Sequence, residues 1–176
     1  MSERRDPWSA GAWMTPNPAA IAPDAPVREA FFTMRRRGFR HLLVVDGERL
    51  VGIVTDRDLR RPDLSREPDG WNDYYRLDGD YTVRDVMSAN PTVARPRDRI
   101  ERSLAAMVEG KFGALPVVDK DERPIGILTT DDMLRAFHTA LVEVGDRLRR
   151  SRSKPERTRE PSEVAASTAT QYEKHT

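Results

Sequence analysis

The chain has no cysteine, which rules out disulfide scaffolds, thiolate metal sites and thiol nucleophiles. Its three histidines, His41, His138 and His175, are too few and too dispersed to form a metal cluster. Charge of one sign is also lacking: the formal net charge is +1, so no global field draws the protein to nucleic acid or to a membrane surface. The longest apolar runs, Leu42 to Val45 and Leu50 to Val54, fall far short of a membrane span, and Met1 to Asp6 lead into no signal-like hydrophobic stretch. These absences predict a soluble, cytoplasmic protein with no metal, membrane or nucleic-acid partner. With 176 residues, 38% hydrophobic and 34% charged, there is material for one folded domain plus tails.

What is present is a repeat. Met14-Thr15-Pro16-Asn17-Pro18 returns 73 residues later as Met87-Ser88-Ala89-Asn90-Pro91, and Met34 through Val44-Val45-Asp46 returns as Met107 through Val117-Val118-Asp119. One residue out of step, Gly52-Ile53-Val54-Thr55 with Asp58 returns as Gly126-Ile127-Leu128-Thr129 with Asp132. Two copies of one supersecondary unit, each too small to bury its own apolar face, are expected to pack on each other.

In the first copy, Val27, Ala30, Phe31 and Met34 form the stripe of an amphipathic helix ending near Gly38. Arg35, Arg36 and Arg37 at its C-terminal end oppose the helix dipole and read as a solvated helix end. Two strands, 42–45 and 50–54, joined by Asp46-Gly47-Glu48-Arg49, predict a hairpin, and a second helix is expected from Thr55. The second copy predicts a helix over 99–110 with Ile100, Leu104 and Met107 inward and Asp98 with Glu101 as its capping box. It continues with strands at 114–118 and 125–128 and a helix from 130. The fold class is α/β (α+β), two βαββα repeats packed as a pseudo-twofold pair.

The spans divide into an N-terminal arm (1–13), repeat 1 (14–61), a linker (62–84), repeat 2 with an extended helix (85–148) and a basic, polar tail (149–176). Trp8 and Trp13 suit either a docking arm or, preferably, an ordinary ordered N-terminus. Trp71, Tyr74, Tyr75 and Tyr81 in the linker imply packing on the domain or a partner. Leu134, Phe137, Leu141, Val144 and Leu148 form a short heptad-like seam that covers the domain or a twofold-related copy. The tail's composition predicts solvated disorder.

In each copy the Thr-x-x-Asp motif puts a hydroxyl and a carboxylate at a helix start, beside free backbone N–H groups. Such a carboxylate suits the vicinal hydroxyls of a ribose, yet the same spacing is a capping box that needs no ligand. Duplication copies caps as readily as sites. Both readings stay open at this level.

The duplicated Met-x-x-x-Pro segment, helix, hairpin ending in Val-Val-Asp, and Gly-h-h-Thr-x-x-Asp (h, hydrophobic) together resemble the cystathionine-β-synthase (CBS) domain, in the pair known as a Bateman module. The resemblance implies a regulatory module, not an enzyme, in which no cofactor is obligatory and AMP, ADP, ATP or S-adenosylmethionine binds in clefts between the repeats. It also implies a disc-like homodimer and a regulated protein whose identity the sequence does not disclose. On this resemblance Asp58 and Thr55, and Asp132 and Thr129, hold ribose and phosphate. Adenine then lies against 18–21 with 40–43 and 91–94 with 113–116, which brings in Pro18 and Ala114. Leu43 departs from the pattern, since the second copy has Pro116 there.

The copies differ in charge without any appeal to a family. Arg57, Arg40 and His41 surround the first Thr-x-x-Asp, where the second copy has Asp131, Gly113 and Ala114. Cations suit phosphate and paired carboxylates repel it, so the first pocket is expected to prefer a phosphorylated nucleotide. The second is expected to stay empty, take a ligand of little charge, or use Lys111 as a phosphate partner. The alternative function is a structural dimerisation module with vestigial pockets.

Overall fold

A computed structural model describes residues 6–59 and 81–152. The linker aromatics Trp71, Tyr74 and Tyr75, and nearly all of the basic tail, lie outside these residues. The chain divides into two units, Met1–Thr139, which holds both repeats, and Ala140–Thr176.

The order in the first repeat is α1 (Ala10–Trp13), β1 (Thr15–Pro16), β2 (Ala20–Ile21), α2 (Val27–Arg37), β3 (His41–Asp46) and β4 (Arg49–Thr55). The second repeat runs α3 (Val83–Val86), β5 (Ser88–Ala89), α4 (Ile100–Gly110), β6 (Ala114–Val118), β7 (Pro124–Thr129) and α5 (Thr130–Arg152). Helix α2 stops where Gly38 turns left-handed (φ 68°) and donates its N–H to the Met34 carbonyl, a conformation glycine adopts without a Cβ clash. Gly47 (φ 60°) closes the β3–β4 hairpin in the same way. In place of the second helix expected from Thr55, that residue ends β4 and Asp56–Leu59 form turns; residues 60–80 lie outside the described residues.

There are two sheets, ordered β1-β7-β6 and β2-β3-β4-β5. Each receives a strand from the other repeat. Strand β1 pairs with β7 (Thr15 with Ile127, Pro16 with Gly126), and β5 pairs with β4 (Ser88 with Ile53, Ala89 with Gly52). The two pairings are the same contact made twice. Ala10, with half-buried Trp8, Trp13 and Met14, enters the second repeat's core of Ile100, Met107, Leu115, Val117 and Leu128. Reciprocally, Val83, Val86 and Met87 enter the first repeat's core of Val27, Ala30, Met34, Leu42, Val44 and Val54. This exchange explains the repeated Met and Gly: a Cβ added at Gly52 would strike the Met87 side chain, and one at Gly126 the Met14 side chain.

A third cluster, Leu43, Ile53 and Ala114 with half-buried Ile127, joins the backs of the two sheets. Strands β3 and β6 are therefore buried on both faces, which accounts for their unbroken apolar runs. Each fully buried Leu or Val contributes about 1.5–3 kcal/mol.

Two expectations are corrected. On α4 the inward residue is Ser103 (3% exposed), not Leu104 (43%), because the buried stripe runs through Ile100, Ser103 and Met107. Ser103 is the counterpart of Ala30, where only a small residue fits. Asp98 does not cap α4: its Oδ2 accepts the Arg95 N–H at 2.8 Å, while Glu101 pairs with Arg99. The side-chain capping box lies instead at Thr82 and Asp85, at the start of α3. On α5, Met133 and Ala136 are buried in the core, while Leu134 and Phe137 on the same helix are more than half exposed.

Candidate functional site

Both Thr-x-x-Asp motifs close on themselves. Thr55 donates its N–H (2.8 Å) and Oγ1 (2.7 Å) to Asp58 Oδ2, and the Asp58 N–H returns to Thr55 Oγ1 at 3.3 Å. Thr129 and Asp132 repeat this at 2.8, 2.7 and 3.4 Å. In the second copy this closes the start of α5; in the first it closes a turn, and in each it occupies one carboxylate oxygen.

The other oxygen separates them. Asp132 Oδ1 accepts from Arg135 Nη2 at 2.7 Å, and its side chain is 4% exposed. No described residue donates to Asp58 Oδ1, and Asp58 is only partly buried. Arg61, the sequence counterpart of Arg135, lies outside the described residues.

Asp58 opens into a cleft of about 740 Å³. Repeat 1 supplies Arg40, His41, Ile53, Thr55, Asp56, Arg57 and Asp58. Repeat 2 supplies Ser88 to Thr92, Lys111 to Ala114, and Thr130. Backbone bonds hold the turn after β4 and the start of α5 against the residues that lead into β3 and β6: Asp56 N–H donates to the Arg40 carbonyl, and Thr130 N–H to that of Gly113, each at 3.1 Å. Of the residues singled out in the sequence, the cleft gathers Thr55, Asp58, Arg57, Arg40, His41, Lys111 and Ala114. It does not include Thr129, Asp132 or Pro18. The cleft also takes Asn90 to Thr92, from the other repeat, because β5 rather than β1 pairs with β4.

The residues that sequence reasoning missed are Asn90, Phe112 and Thr130. The repeat offset pairs Asn90 with Asn17, both left-handed (φ 49° and 51°), but nothing local says which sheet each one joins. His41 faces Gly113, where an added Cβ would sit 3.0 Å from Nε2. Burial and then the Arg40 cation hold the His41 pKa below its ordinary 6.5, with Asp58 opposing them. His41 therefore stands neutral at pH 7 in the unliganded cleft. Among the described residues no group of His, Asp and Glu is placed to hold a metal ion, and no helix is long and apolar enough to cross a membrane.

The CBS domain family matches residues 10–64 and 83–139. The chain belongs to the CBS-domain family. It is a tandem CBS pair of α+β fold, each match taking in one repeat together with its four-residue lead-in helix. Arabinose 5-phosphate isomerase KdsD of Pseudomonas aeruginosa is 37% identical over 108 residues, 61% of this chain and 30% of that enzyme. The chain spans less than half the length of several curated relatives it matches. Among solved structures, CBSX2 in complex with AMP superposes with a TM-score of 0.62 at 29% identity, covering 75% of this chain and 97% of that one. The cytosolic domain of the Mg2+ channel MgtE, in complex with ATP, gives 0.59 at 27% identity, covering 76% and 50%.

Proposed function

We propose that this CBS pair is a regulatory module that takes up an adenosine-containing ligand (AMP, ADP, ATP or S-adenosylmethionine) in the cleft between its repeats and signals through a homodimer. The observation that carries the reading is Asp58: a cleft-lining residue whose carboxylate is oriented by Thr55 and whose other oxygen accepts from no donor among the described residues. Arg40 and Arg57 beside it suit phosphate oxygens. The AMP and ATP complexes of the two similar CBS structures support the same ligand class. Because both repeats line the cleft, a ligand that touches both favours one relative placement of them, which is how binding is passed on. The role is regulatory rather than catalytic.

Ligand-dependent stability tests this. A hundredfold excess over Kd stabilises the fold by about 2.7 kcal/mol, visible as a rise in Tm. No rise with any adenine nucleotide or with S-adenosylmethionine sides with the second reading, a structural dimerisation module. That reading draws on exposed Leu104, Val108, Leu134 and Phe137, which leave apolar area on α4 and α5 for a second copy. Sedimentation of the wild type against Val108→Glu tests the homodimer itself.

A further inference from the structure

Helices α2 and α4 end alike, with one residue in the left-handed region. In repeat 1 that residue is Gly38 (φ 68°, ψ 22°); in repeat 2 it is Lys111 (φ 54°, ψ 36°). A left-handed lysine brings Cβ against its own backbone, and glycine at the same place closes the helix without that clash. Gly38 shows that this fold needs no side chain there. A strained residue retained where glycine serves marks a side chain with another use.

The Lys111 side chain lines the cleft. It comes from repeat 2, whereas the other fixed cations there, Arg40 and Arg57, come from repeat 1. Among the described residues, none of the three forms an ion pair or a side-chain hydrogen bond. Asp58 serves the ribose, so these cations are left for the ligand's anionic end. We propose that Lys111 reads phosphate number: it completes, across the repeat boundary, a cation set that ranks adenosine polyphosphates above AMP and AMP above adenosine. This rests on the cleft being an adenosine-ligand site. It accounts for the strained lysine as stability given up for ligand discrimination.

The experiment titrates adenosine, AMP and ATP, in chelator, into wild type, Lys111→Gly and Lys111→Gln by calorimetry, and records the Tm of each unliganded protein. Lys111→Gly is expected to bind ATP about tenfold more weakly. Its adenosine affinity stays as in wild type, and its Tm rises by about 2 °C. Lys111→Gln keeps the strain and loses the charge, so it matches the ATP loss without the gain in Tm. If Lys111→Gln binds ATP as wild type does, or loses ATP and adenosine by one factor, the phosphate role is overturned while the adenosine site stands. If the wild type binds none of the three, this role falls, and the site falls with it only if S-adenosylmethionine also fails to bind.

Discussion

The two repeats build one cap to nearly identical dimensions, with the return bond at 3.3 Å in the first and 3.4 Å in the second, and then treat its carboxylate differently. Asp132 spends both oxygens inside its own repeat, on Thr129 and Arg135, and is buried there. Among the described residues Asp58 spends one, and it lines a cleft with Arg40, His41, Arg57 and, from the other repeat, Lys111. The comparison teaches that Thr-x-x-Asp is first a turn closed on its own backbone; what makes it a site is the company around its second oxygen.

The largest effect expected is on ligand binding by Asp58→Ala. Losing charge-assisted bonds to two ribose hydroxyls costs about 3 kcal/mol of affinity. Asp132→Ala leaves affinity nearly unchanged, as titration calorimetry of both variants checks; equal or reversed losses would break the comparison. Next comes the exchange of strands. Gly52→Ala and Gly126→Ala each overpack the opposing methionine, at about 2 kcal/mol in urea denaturation. Gly52→Ala costs the more, because the Ser88 carbonyl also stands 3.2 Å from the new Cβ, whereas Gly126 meets only the Met14 side chain. Met14→Ala rescues Gly126→Ala; failure of that rescue would deny that the methionine is the obstacle.

Smaller again is the shared role of the two carboxylates. Asp58 closes a turn on Thr55 and Asp132 closes the start of α5 on Thr129, so both alanine variants lower stability by about 1 kcal/mol even though only one affects binding. Chemical denaturation without ligand separates this from affinity. The smallest effect is the pH dependence of His41, whose counterpart is Ala114. Its folded pKa is depressed, so the unfolded chain takes up a proton that the native state refuses. Stability is full above 6.5 and declines as pH falls below it. A phosphate in the cleft favours protonated His41, so ATP binding strengthens over that same decline, with proton uptake. His41→Ala removes both slopes and makes the first site resemble the second; slopes that persist would assign the titration to another group.

Much of this was legible in the sequence. The duplication, the α+β class, the end of α2 at Gly38 and the span of β6 come from strong periodicity and from residues with few alternatives. The pairing of motifs was not legible. Two nearly identical copies allow Met14 to meet Gly52 or Gly126 equally well, and only the path of the chain decides. For the same reason the sequence puts Pro18 beside Asp58 where Asn90 to Thr92 belong. Ser103 was hidden because hydrophobicity favours Leu104, although its repeat counterpart, Ala30, marks the position as one for a small side chain. Nothing in the sequence marks Arg135 as the partner of Asp132, because no spacing says that Asp132 turns inward.

The exchanged lead-ins also govern how the molecule is made. A chain emerging residue by residue produces β1 long before its partner β7, and completes β3 and β4 before α3 and β5 exist to close their core. Neither half finishes ahead of the other. Thr15 waits for Ile127, so the last-made sheet is the one that secures the first-made segment, and a nascent chain halted between the repeats carries an open groove at Gly52 that a second copy's Met87 fits.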